Sequence, residues 1–470
     1  MRSVLILIGI LLTSSVWAQQ NLPAKSMNEA LLEVASGAEY QATESDIRAI
    51  ELLFQSRDLI LQPTLEIIGR RLHEQRELLF RSSSFKPRTD SLDVTLMKPF
   101  STGTTLMVGP TWENAITPSQ ASGETTTVDW QIGMSQSLWR DGFGRSTSLR
   151  HAREEYERLR DLAEALAKRG QMLLDFETMY WDWALVTRSL ELEAKNVKRG
   201  QEILRWVRDR FNRQAAESTD LLQAQALLTQ RELRVATLRQ NLTQVGILIE
   251  RFVPNRQWQP NPDDLAVARP VDALVARWKG EGLAQTAQLE YIRASNEASA
   301  SAERAKEERE SIRPELNLEL AYGKNAVESN DDNARAIRRS YEENHEYSSV
   351  GVVFRTGLDM GLERKRVDAA RARQKASEQR RDARLAENKI AWDQLQRELA
   401  DLKTQTERAH DLVGLQTRKA NAERERYRKG RSTAFQAITF EQEASEAELT
   451  LWQLHAMTRK TEARARLFAR

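Results

Sequence analysis

The chain has no cysteine among its 470 residues. Disulfides are excluded, and so is a lipid-bearing N-terminal Cys; for an exported chain this fits a bacterial envelope protein better than a small stapled secreted domain. A charge of one sign is missing too. Lys and Arg number 70 against 68 Asp and Glu, a balance that argues against an electrostatic binder of nucleic acid. Beyond the first residues no run of about 18 apolar residues exists, so no membrane-crossing helix is predicted. A closed β-barrel remains possible, because a barrel pairs every backbone group. The five His residues (His73, His151, His345, His410 and His455) are scattered, with no i,i+4 pair, so no metal site is expected. Gly142 and Gly144 lack the third Gly or the Lys of a phosphate loop. No catalytic residue and no cofactor are expected, and the chain reads as a non-enzyme.

What is present begins with an export signal over residues 1–18. Met1-Arg2 is basic, Val4 to Leu12 is apolar, and Val16-Trp17-Ala18 resembles a small-residue cleavage site, so the mature chain is expected to start at Gln19. Charged residues make up 29% and are interspersed, as on long solvated helices. The basic run Arg364-Lys365-Arg366, with Arg371 and Arg373, is interleaved with Asp368, Glu378 and Asp382 and reads as such a face.

The order of signals occurs twice. Ser45 to Leu61 is predicted as a helix, ended by Pro63. Leu65 and Ile67, then Leu92, Val94 and Leu96, then Val128, Trp130, Ile132 and Met134, alternate with mostly polar neighbours, the period-two signal of strands. Leu72 to Trp112 is longer than one strand and a loop, leaving room for an external hairpin or further strands. From Ser146 to about Arg210 no Pro occurs, and Leu159, Leu162, Leu166, Leu173, Phe176, Tyr180, Trp183, Leu190 and Ile203 recur at helical steps. At about 1.5 Å per residue this helix is on the order of 100 Å long. A turn at Phe211–Ser218 leads to a second helix, Thr219 to Phe252. Pro254, Pro260, Pro262 and Pro270 mark a linker. The second copy has a helix from Pro270 to Ile312, strands at Leu316–Tyr322 and Val350–Phe354 around a charged loop Lys324–Glu346, and helices from Leu362 to about Tyr427 and Phe435 to Phe468. Shifting the chain by 216 positions lays Arg210-Phe211 on Arg426-Tyr427, Leu238 on Leu454 and Phe252 on Phe468 without a gap. The domains read as 19–253 (hairpin region 63–140, helices 146–252), a linker 254–270, and 271–470 (hairpin 314–358, helices 362–468).

Two hairpins cannot close a barrel alone, and open edges are not tolerated in lipid. Trp112, Trp130, Trp139, Tyr322 and Tyr347 stand near strand ends, where an aromatic girdle would sit. Several identical chains donating staves to one cylinder would remove the edges.

Arg426-Tyr427-Arg428-Lys429-Gly430, Ser432-Thr433 and Phe435-Gln436-Ala437-Ile438, with Arg210-Phe211 and Ser218-Thr219-Asp220-Leu221-Leu222 in the first copy, resemble the tip motif of TolC-family outer membrane efflux proteins. Gln136-Ser137-Leu138-Trp139-Arg140-Asp141-Gly142-Phe143-Gly144 and Gly357-Leu358-Asp359-Met360-Gly361 resemble that family's strand-to-helix corners. The resemblance runs from about Glu29 to the end. It implies an α+β membrane protein: a duplicated unit forming, as a homotrimer, a 12-helix-type α-barrel joined to an outer-membrane β-barrel, with about four or more strands per chain. It also implies a duct from periplasm to exterior, in contact with outer-membrane lipid, that docks a periplasmic adaptor (membrane fusion) protein and an inner-membrane transporter and serves drug efflux or type I secretion. A periplasmic adaptor-like scaffold and a passive porin are the alternatives. Adaptor contact is expected at Phe211, Ser218, Thr219, Tyr427, Gly430, Ser432 and Thr433. Gate candidates are Asp220, Gln436 and Arg431, the last placed to hold a closed state by pairing across chains. Gln214 stands where the family's first tip turn usually has Gly, so that turn is expected to be reshaped.

Overall fold

The computed structural model describes residues 22–73, 88–116, 123–267, 288–329, 332–343 and 345–468. The expected export signal at 1–18, the first part of the 270–312 helix and most of the 117–124 loop lie outside the described residues. The chain divides into two units, residues 1–48, 162–292 and 382–470 in one and 49–161 and 293–381 in the other.

The second unit is built on a six-stranded antiparallel sheet in sequential order: β1 Thr64–His73, β2 Arg88–Pro99, β3 Thr104–Ile116, β4 Glu124–Ser137, β5 Glu315–Ser329 and β6 Glu346–Arg355. Between Leu72 and Trp112, residues 74–87 lie outside the described residues, and the rest holds a full strand, β2, and most of β3. Both strands lie within the sheet rather than in an external hairpin. Pro110 carries no amide N–H, and the β2–β3 register skips Val94 and Thr95 opposite it. Adding a Cβ to Gly109 would place it 1.8 Å from the Val94 carbonyl, so only Gly allows the approach there.

Helices enter and leave this sheet. α1, Met27–Val34, and α2, Ala38–Gln55, precede it; α2 begins well before the expected Ser45 and gives way to a 3-10 turn at Ser56–Leu61. The corner after β4 holds Asp141 and Phe143 at positive φ (58° and 53°). The Asp141 carboxylate accepts from the Ser146 and Thr147 amides at 2.7 and 3.4 Å, starting α3, Arg145–Asn212. α4 is Ser218–Ile249, α5 Leu289–Ser311, α6 Asn333–Glu342, α7 Met360–Arg428 and α8 Ala434–Leu467. Inside the second unit, ion pairs join the helices side by side: Arg158 to Glu51 (2.7 Å), Arg153 to Glu307 (2.8 Å), Arg160 to Glu297 (2.9 Å) and Arg366 to Glu308 (2.8 Å). Burial and paired carboxylates act on Arg153 in opposite senses, and the net effect holds its pKa above the usual value. In the basic run on α7, Arg364, Lys365, Arg371 and Arg373 are exposed within the chain, as a solvated face requires, and Arg366 pairs with Glu308 of α5.

The first unit buries its aromatic residues around α1. Met27, Val34, Phe176, Tyr180, Trp181, Ile249, Trp258 and Leu265 are among the most buried side chains. The Tyr180 hydroxyl donates to the Lys25 carbonyl at 2.8 Å, and the Asn261 amide donates to that hydroxyl at 3.2 Å. Ala24–Lys25 pairs in parallel with Gln259–Pro260. The described part of the Pro-rich stretch is therefore docked: Trp258 and Leu265 are inside the core rather than in a free connection.

Candidate functional sites: the twin turns and the sheet faces

The two helical hairpins turn with the same backbone. In the second, the Gly430 amide donates to the Tyr427 carbonyl and the Arg431 amide to the Arg426 carbonyl, both at 2.9 Å. In the first, Gln214 donates to Phe211 and Ala215 to Arg210, again at 2.9 Å. Each pair is a Schellman cap, which requires a left-handed residue just past the helix. Gly430 supplies it at φ 74° and Gln214 at φ 56°. The expected reshaping does not occur, because the paired hydrogen bonds hold Gln214 where Gly would sit. A left-handed conformation costs an L side chain roughly 1–2 kcal/mol. Gln214→Gly is therefore expected to raise stability by about 1 kcal/mol and Gly430→Gln to lower it by a similar amount, read from urea midpoints.

The register of the following helices differs from the motif alignment. α4 starts at Ser218 and α8 at Ala434, so Glu217 stands opposite Thr433 and Asp220 opposite Gln436. Ser218 and Thr219 lie in the first helical turn. Thr433 is the N-cap, its hydroxyl accepting from the Gln436 amide at 3.3 Å. The Asp220 carboxylate accepts from the Glu217 amide at 3.4 Å. The 216-residue offset already contained this register; the Ser-Thr likeness obscured it.

The aromatics of the two turns have separate fates. Tyr427 is buried with Ile203, Val207, Ala224, Leu227, Ala434 and Ile438, whereas Phe211 is 38% exposed. Burial pushes the Tyr427 phenol above its ordinary range, opposed by Arg210, whose guanidinium lies 5.0 Å from the ring centroid. Ser432 hydrogen-bonds Glu423, a buried acid that sequence reading did not single out and that also pairs with Arg426 at 3.4 Å. Gly430, Arg431, Thr433 and Gln436 are exposed, and among the described residues Arg431 has no ion-pair partner.

The sheet separates its side chains by face. Leu65, Leu96, Val108, Ile132 and Tyr322 stand opposite one another across five strands. Leu106, Met134, Leu320 and Val350 form a second such row, and Leu92, Trp112, Val128 and Ala326 a third. The other face carries Asp93, Thr111, Asp129 and Asn325 in one row and Thr105, Ser135 and Glu319 in another, with Ile68, Leu72, Met97, Met107, Val327 and Val353 as apolar exceptions. Ile132 is 52% and Val350 75% exposed within the chain. Among the described residues, β1 and β6, at the sheet edges, have one unpaired side each. A face this apolar, bounded by two bare edges, requires an apolar partner and further strands. Of the aromatic residues expected in a girdle, Trp112, Trp130 and Tyr322 are on this face. Tyr347 belongs to the polar one: it crosses Gly323 and its hydroxyl donates to Asp129 at 2.8 Å. Trp139 lies beyond the end of β4.

No family model and no curated protein matches the chain by sequence. Solved structures do match in three dimensions. The outer membrane protein VceC of Vibrio cholerae superposes with a TM-score of 0.66 at 12% identity, over 94% of this chain and 96% of that one. The Campylobacter jejuni CmeC outer membrane channel gives 0.64 at 12% identity, over 94% and 85%, and the open state of the Neisseria gonorrhoeae MtrE outer membrane channel 0.64 at 13%, over 94% and 88%. The chain has the fold of these outer membrane channel proteins along nearly its whole length.

Proposed function

We propose that the protein is the outer-membrane channel of an export system, three copies pooling their sheets into one barrel in the outer membrane and their long helices into a duct through the periplasm. The observation that carries this reading is the two-faced sheet with open edges. Apolar side chains toward lipid and polar ones toward a lumen is the pattern of a membrane barrel. Closure by identical copies pairs β6 of one chain with β1 of the next and removes both edges. The likeness to solved outer membrane channels supports the same reading. Recovery of a heat-modifiable oligomer from the outer-membrane fraction is the expected result; a monomer soluble without detergent overturns it.

The exposed residues of the twin turns, Phe211, Ser218, Thr219, Gly430 and Thr433, with the half-buried Ser432, are the surface proposed for an adaptor protein that links the duct to an inner-membrane transporter, with Tyr427 buttressing them from behind. Asp220, Gln436 and Arg431 are the proposed gate. Arg431 is exposed and has no ion-pair partner among the described residues, so it can pair with a neighbouring copy, and Arg431→Glu is expected to raise the single-channel open time in planar bilayers. Unchanged gating removes Arg431 from the gate.

A further inference from the structure

The sequence reads Lys324 to Glu346 as a charged loop, yet β5 continues to Ser329 and residues 333–342 form α6, which packs on the sheet. The Asp332 carboxylate caps α6, accepting from the Arg335 amide at 2.9 Å. α6 lies on the apolar face, at the end of the sheet away from the β4 and β5 ends that join the long helices. Trp112 Nε1 donates to Asn333 Oδ1 at 2.8 Å, and Trp130 Nε1 to Ser340 Oγ at 3.2 Å. Ala336 is buried between them.

These contacts fix the helix rotation. With Asn333, Ala336 and Ser340 against the sheet, the 100° helical step puts Ile337 and Tyr341 on one flank, Arg335 and Arg339 on the other, and Arg338 pointing away. The Tyr341 ring stacks on Trp130, centroids 5.0 Å apart, which turns its flank toward the apolar stretch Leu316–Tyr322. Arg339 instead reaches Glu328, farther along β5, and Glu343 at 2.8 Å. The boundary between the two zones is marked by the Lys324–Glu346 pair at 3.0 Å. Ile337 and Tyr341 remain exposed at 46% and 58%. A helix bathed only in water has no reason to hold such a flank beside Trp130. An interfacial helix does, with its apolar flank in the acyl boundary and its cations in the headgroup layer.

We propose that α6 is a lipid-recognition element, with Arg335 and Arg338 binding the phosphates of an anionic glycolipid of the outer leaflet while Ile337 and Tyr341 enter the apolar layer. Arg339 is already saturated by two carboxylates. Arg335 is 3.7 Å from Glu328, which Arg339 occupies, and Arg338 is exposed with no partner among the described residues. The guanidinium forks of Arg338 and of Arg335, which shares the Glu328 carboxylate with Arg339, match phosphate geometry. The inference rests on the outer-membrane reading above.

The test uses the full-length oligomer washed in detergent with bisphosphorylated lipid A or its phosphate-free form, followed by native mass spectrometry. The wild type is expected to retain the bisphosphorylated lipid about tenfold better, the effect of two solvent-exposed ion pairs, and Arg335→Gln/Arg338→Gln to lose that preference. Arg338→Gln alone, at an exposed side chain, is expected to lose about half of it on a logarithmic scale. Both variants are expected to float with phosphate-free phosphatidylcholine vesicles as the wild type does. Equal retention of the two lipids, or a double variant that keeps the preference, overturns the lipid assignment while the barrel reading stands. A wild type that does not float with vesicles overturns both.

Discussion

Ile132→Arg is expected to abolish recovery of the oligomer from the outer membrane, while Gln131→Arg, one residue away, leaves it near the wild-type level. The register puts Ile132 at the centre of the apolar row between Val108 and Tyr322, and Gln131 on the opposite face beside Gly109 and Gly323. An Arg facing lipid near the bilayer midplane costs roughly 2–4 kcal/mol, and the cost recurs in every copy of a symmetric barrel. On a soluble sheet with a wet face the same substitution, at a side chain already half exposed, would change stability by only about 0.5 kcal/mol. Heat-modifiable migration of the outer-membrane fraction reads the difference. If both variants assemble equally, the face that carries Ile132 is not in lipid.

Glu193→Leu is expected to be the most damaging substitution on the α3–α4 hairpin. Glu193 on α3 and Arg231 on α4 face each other at 2.9 Å with both side chains 6% exposed. Removing the acid strands a buried guanidinium, at a cost of about 3–5 kcal/mol. Arg231→Leu should cost less, because Arg234 stands 3.6 Å from Glu193 and can share its charge from a more exposed position. Removing both charges together should restore most of the loss, since Leu at both sites fills similar volume without desolvating an ion. Urea midpoints of the four proteins close the cycle. Additive losses in the double variant would show that the pair does not act as a unit.

Much of this architecture was legible in the chain. Long Pro-free stretches with apolar steps of three and four residues set α3 and α7 to within a few residues, because a helix of that length repeats its signal many times. Period-two alternation found the apolar face of β4, β5 and β6 for the same reason. The shorter elements escaped. α1 is eight residues, too few to establish a period, and becomes a helix through its Ser26 capping box and the burial of Met27, Ala30 and Val34. α6, ten residues within a stretch read as a charged loop, was likewise too short to establish a period. The proposed tip residues were found as a group, but not their roles: a Ser-Thr dipeptide looks the same as a cap or as a first helical turn.

Local periodicity and the 216-residue offset, then, are properties of the chain itself, and they located the long helices and the alternating strands. Which aromatic is buried and which is bare, and which way α6 rolls, were decided only by tertiary structure. Each depends on a neighbour distant in sequence. Tyr427 is enclosed by three other helices, and Tyr341 is turned by a tryptophan more than 200 residues away. Pairwise contacts of that range leave no period in the chain, so no reading of local pattern could have supplied them.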